Sequence, residues 1–211
     1  MNLTGHRYER EGKWKGPRIA ACWFDFAAPE RRIGLKKSAK FLLEQCKRYD
    51  ISCCICKIPF DDMPEPLRNP ESDFGKYKKR WVRVVPFFIE AMMARFNEPL
   101  FYMHVDTTII TPPPIKLFAG SIRLAEGQSN AFPGTGSRRT HILGSPVFVG
   151  NDGTAKAFIQ AWKAKCSDTT NTFGEHYLLK TTFTEMRDKS AVDLFNTKMC
   201  SRALDGSYMY V

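Results

Sequence analysis

Residues 100–114 read LFYMHVDTTIITPPP, an apolar run that closes on His104-Val105-Asp106 and stops at three prolines. Side chains alternate along a strand, so His104 and Asp106 are expected to project to one side and Val105 to the other. An imidazole and a carboxylate presented together at a strand end are two potential metal ligands. The same three residues also fit a structural use, a hydrogen-bonded histidine followed by a turn-forming aspartate. Asp25, in WFDF directly after another apolar run, stands where parallel sheets bind ligands, just outside a strand's carboxyl end. Its neighbours Trp23 and Phe26 are suited either to stacking on a base or to the core.

These residues need a scaffold, and the pattern of the chain supplies one. RIAACWF at 18–24 reads as a buried strand, and Leu35, Ala39, Leu42, Cys46 and Tyr49 then recur at helical spacing. ISCCICKI at 51–58 closes a strand, helix, strand unit, which implies a parallel sheet. The next stretch, PFDDMPEPLRNPESDFGK, holds four prolines and predicts a long irregular loop. From Tyr77 to Phe96 the pattern is helical, with Trp81, Val85, Phe88 and Met92 on one face and Pro86 expected to divide it in two. Residues 125–141, rich in Gly, Ser and Asn, read as a mobile loop. SPVFVG at 145–150 predicts a further strand, followed by an amphipathic helix marked by Ala155, Phe158, Ile159 and Trp162. With neither an internal repeat nor a linker, the expected organisation is an N-terminal extension over 1–16 and one Rossmann-like α/β domain over 17–211.

Composition narrows the function classes. At 211 residues and 43% hydrophobic content, the chain is long enough to bury a substantial core. Its 32 Lys and Arg against 22 Asp and Glu leave a net charge of +10, which favours polyanionic partners or phosphorylated small substrates. The cations are dispersed in small clusters, and no RNP-type or zinc-finger pattern accompanies them; nucleic-acid binding therefore rests on charge alone. Seven cysteines, three of them in SCCIC, read as reduced packed thiols without zinc-site spacing. The charged start MNLTGHRYEREGKWKG has no signal-peptide core, and no apolar run reaches membrane-spanning length. A cytoplasmic protein without a transmembrane segment is the expectation. His6 and His141 lack supporting context and read as surface residues.

The order of elements resembles the GT-A nucleotide-diphospho-sugar glycosyltransferases, which carry a DxD motif at the end of the corresponding strand. Here His104-Val105-Asp106 occupies that place, flanked by LFYM before and TTIITPPPIKLF after. GSPVFVGNDGTAKAFIQAW is similar to the family's small-residue strand and the helix ending in Trp, and GEHYLL to its acidic segment; the likeness spans roughly residues 17–200. The departure is His for Asp at the motif's first position. The resemblance implies a GT-A-like fold and transfer of a sugar from a UDP- or GDP-sugar donor, with Mn²⁺ or Mg²⁺ held by Asp106 and His104. It further implies a donor contact from Arg83 in WVRVVPFF. In an inverting enzyme, Glu175 would take the acceptor's proton, and His176 beside it would act as a base or a third metal ligand. Cations at the diphosphate are what such chemistry needs, because the departing group gathers negative charge. The acceptor is a glycan or another hydroxyl. Two alternatives stand beside this reading: a basic nucleic-acid-binding protein, and a sugar transferase whose acceptor is itself nucleic acid. A nucleotidyltransferase would need a Gly-rich phosphate loop after the first strand, and WFDFAAPERR is not one.

Overall fold

Strand formation begins before the first apolar run. In the computed structural model, which describes residues 1, 3–24, 29–68, 83–130, 138–168, 170, 173–187, 191–195, 201–202 and 208–210, Arg7–Arg10 forms an edge strand, β1. The N-terminal segment is therefore built into the sheet. Strand β2 (Arg18–Phe24) is buried along its whole length, as a strand covered on both faces must be. Helix α1 (Pro29–Arg48) buries Ala39, Leu42 and Cys46 at the predicted spacing. It leads into β3 (Cys53–Ile58), which pairs parallel to β2 on one side and antiparallel to β1 on the other. The cysteines of β3 are buried free thiols, as the SCCIC run predicts.

The region expected to be an irregular loop contains a 3₁₀ turn at Phe60–Asp62 and a short helix, α2 (Glu65–Arg68); residues 69–82 lie outside the described part. Helix α3 (Val85–Phe96) is the second part of the predicted helical stretch, of which residues 77–82 lie outside the described part. Proline sits in the first turn and opens the helix, since an N–H there has no intrahelical acceptor to lose. Strand β4 (Leu100–Tyr102) follows and pairs parallel to β2.

Beyond β4, β5 (Thr107–Ile109) enters a small separate sheet. Strands β6 (Ile122–Asn130) and β7 (Arg138–Val149) form a long antiparallel hairpin. Most of the segment predicted as a mobile loop is thus paired strand, with 131–137 outside the described residues. Helix α4 (Gly153–Ser167) starts at Asp152, whose Oδ1 accepts from the Ala155 N–H at 2.9 Å. Helix α5 (Glu175–Met186) and β8 (Val192–Leu194) complete the main layer, while β9 (Ser201–Arg202) and β10 (Tyr208–Tyr210) join β5.

Among the described residues the main sheet has seven strands in the order β1-β3-β2-β4-β7-β6-β8. Strands β2, β3, β4, β6 and β8 run one way; β1 and β7 run the other. The predicted mixed, mostly parallel sheet flanked by helices is what the chain forms. One face packs on α3, α4 and α5 through Phe88, Phe158, Trp162 and Leu179; the opposite face packs on α1 through Ile19, Leu42, Ile55 and Phe101. From β2 the chain steps outward to β3, then crosses back over β2 to β4. The connections therefore diverge between β2 and β4, and open α/β sheets bind ligands at the carboxyl ends of strands beside such a switch point.

Candidate active site

The carboxyl end of β4 is shaped by what β7 cannot offer. The β4–β7 ladder ends at the Tyr102–Val147 pair, because the next residue on β7, Pro146, has no N–H to donate. The His104 N–H donates instead to Ser145 Oγ at 2.9 Å. The Thr107 N–H donates to the His104 carbonyl at 3.1 Å and closes a turn over 104–107. Strand alternation accordingly stops short of His104-Val105-Asp106, which corrects the expected strand geometry. Val105 is buried, His104 is half-buried and Asp106 is exposed. The two side chains still act on each other across the turn. Burial holds the His104 imidazole below its ordinary pKa, and the Asp106 carboxylate acts on it in the opposite direction. Asp106 also acts on the buried Tyr102 hydroxyl, whose pKa is raised chiefly by burial.

The second cluster comes from α5. Glu175 is only 2% exposed and is the one buried acid among the described residues. It heads its helix, where the macrodipole favours an anion, yet burial prevails and pushes its carboxyl up to about 8. Its Oε2 lies 3.2 Å from His176 Nε2, and its Oε1 has no hydrogen-bond partner among the described residues. The His176 side chain is half-exposed, and its ring lies nearly parallel to that of His104, with centroids 6.5 Å apart. Gly144 on β7 makes this approach possible: a Cβ there would stand 2.4 Å from His176 Nε2 and 2.9 Å from Glu175 Oε2. Beneath them the Tyr102 hydroxyl and the Cys22 thiol share a hydrogen bond, and burial pushes the thiol up to about 12.

The fold thus brings together four of the sequence-predicted residues, His104, Asp106, Glu175 and His176, from segments about 70 residues apart in the chain. Arg83, the expected donor contact, lies in the interior. It is fully buried, and its guanidinium donates to the carbonyls of Asp168 (3.0 Å) and Phe173. Those carbonyls belong to the segment that leads into Glu175, so Arg83 acts on the site by fixing that entry. Asp25 and Phe26 lie outside the described residues; Trp23 is buried and stacks on Tyr8. Ser145, Gly144 and Tyr102 escaped the sequence reading. The signal for the first two was the Gly-Ser-Pro interruption of an otherwise β-branched and aromatic run.

Among the described residues, no group of three or more His, Cys, Asp or Glu side chains is arranged to hold a metal ion unaided, and no helix is long and apolar enough to cross a membrane. No protein-family model matches the chain, and no curated protein matches it either.

Proposed function

We propose that the chain is a glycosyltransferase that moves a sugar from a UDP- or GDP-sugar to an acceptor hydroxyl, with Mn²⁺ or Mg²⁺ at the donor diphosphate. The observation that carries this reading is the meeting of the His104–Asp106 turn with the Glu175–His176 pair at the carboxyl end of β4, beside the switch point of the sheet. A divalent ion that bridges substrate phosphates requires only one or two protein ligands. Asp106 offers an exposed carboxylate. The lowered pKa of His104 favours the neutral imidazole, the form that ligates metals. The donor set therefore fits a substrate-completed site. Once bound, such an ion offsets the negative charge that gathers on the leaving diphosphate.

The protein's own part in the proton transfer lies with Glu175 and His176. Burial makes Glu175 the inner member and leaves His176 to meet the acceptor hydroxyl, which reverses the order of roles implied by the family resemblance. When Glu175 is ionised, His176 Nε2–H donates to its carboxylate, and Nδ1 is the nitrogen that carries the basic lone pair. When Glu175 is protonated, its O–H donates to Nε2, the imidazole proton moves to Nδ1, and the base is lost. Isothermal titration of UDP and GDP, each with and without Mn²⁺, tests the donor side. At least one diphosphate should bind more tightly than its monophosphate and only with metal. Equal affinity with and without metal for both would remove the reading.

A further inference from the structure

Helix α1 presents an outward face that its packing role does not use. Ala39, Leu42 and Cys46 bury its inner side against the sheet. At 3.6 residues per turn, Ile33, Lys36, Lys37, Lys40, Phe41 and Arg48 share an outward arc of about 140°. Ile33 at 59% and Phe41 at 56% are the two most exposed large apolar side chains among the described residues, and both lie on this one face. Glu44, the acid among the described side chains of this face, is paired with Lys47 at 2.7 Å, so those two charges cancel locally. Lys36, Lys37 and Lys40 form no ion pair among the described residues.

We propose that this face of α1 docks on a membrane surface rich in anionic lipid. The charge is complementary: each cation brought near an anionic leaflet strengthens binding about fivefold. The apolar pair decides between polyanions. Isoleucine has no π-face on which a nucleobase could stack, whereas an aliphatic and an aromatic side chain set among lysines suit the boundary between headgroups and acyl chains. α1 covers one face of the sheet and α5 the other, so docking leaves the half-exposed His176 side chain on the side away from the membrane. The inference does not depend on the glycosyl-transfer reading.

Co-sedimentation of the full chain with vesicles tests it. The protein should pellet with phosphatidylcholine–phosphatidylserine vesicles and remain in solution with phosphatidylcholine alone. Raising salt from about 0.1 M to about 0.5 M should weaken the partition at least about tenfold, because the Debye length shortens. Ile33→Ser with Phe41→Ser should reduce it by about tenfold or more, and Lys36→Glu with Lys40→Glu should abolish it. All four positions are exposed, so both double variants should keep the wild-type melting temperature. Failure to pellet with the anionic vesicles, equal pelleting with both lipids, or full binding by the Ile33→Ser, Phe41→Ser variant would overturn the proposal. So would tighter binding of a single-stranded oligonucleotide that is indifferent to the apolar substitutions.

Discussion

The two ends of the parallel strands treat a buried charge in opposite ways. At the amino end of β2, Arg18 is 5% exposed and fully engaged: Nε donates to Glu98, Nη2 donates to Glu11 at 2.6 Å, and the guanidinium lies 4.1 Å over the Phe96 ring. Burial works against that charge, and the pull of the two carboxylates outweighs it, leaving the Arg18 pKa raised. At the carboxyl end, Glu175 is as deeply buried and has only His176 against one oxygen. Its proton is held up to about 8 by burial alone. A charge neutralised on every side stabilises a fold; a buried acid poised near neutral pH is suited to moving protons.

The largest expected effect breaks the second end without touching the first. Under the proposed function, His176→Ala and Glu175→Gln should each lower the transfer rate about 100- to 10,000-fold, as loss of general-base assistance does, while both variants stay folded at neutral pH. Wild-type rates on donor hydrolysis or transfer in either variant would return both residues to a structural role.

A second contrast appears in stability against pH. The folded Glu175 pKa lies above its ordinary value of 4.5, so the folded state holds the extra proton, and stability is fully present below that value and lost as pH rises toward about 8. Glu175→Gln carries no such proton. Relative to the variant, the wild type should therefore weaken by up to about 4 kcal/mol across that window, read as urea midpoints at several pH values. A constant difference would mean that the carboxyl is ionised throughout.

The smallest effect in this set belongs to the opposite end. Arg18→Ala should cost on the order of 2–3 kcal/mol of unfolding free energy, below the full penalty for breaking a buried pair because Glu11 and Glu98 can rehydrate. Nucleoside-diphosphate affinity of the folded protein should not change. A loss of affinity at unchanged stability would merge the two ends that the account keeps apart.

How much of this was legible in the chain follows from what each element depends on. Strands β2 and β3 were readable because burial on both faces writes a continuous apolar run, and α1 and α4 because one buried face writes the helical period. Strand β1 was not, since RYER owes its conformation to pairing with β3 along a half-exposed border. The hairpin of β6 and β7 was hidden for the same reason: its Gly, Ser and Asn residues imitate a loop, and pairing between the two arms of the hairpin holds them in register. At the site, sequence placed His104 and Asp106 at a strand end but gave them the wrong local geometry. Pro146, more than 40 residues on, decides where that strand stops. The surroundings of Arg83 were not legible because its acceptors are carbonyls 85 and 90 residues away, which no local pattern announces.

The claim on which the rest depends is that the 104–107 turn holds a divalent ion together with a nucleoside diphosphate. Electron paramagnetic resonance of free Mn²⁺, titrated with protein at saturating UDP or GDP, measures that directly. The account predicts loss of the free-ion signal with the wild type, retained uptake with His104→Asp, weakened uptake with His104→Ala, and none beyond the nucleotide's own with Asp106→Ala. Identical uptake by the wild type and Asp106→Ala would contradict it.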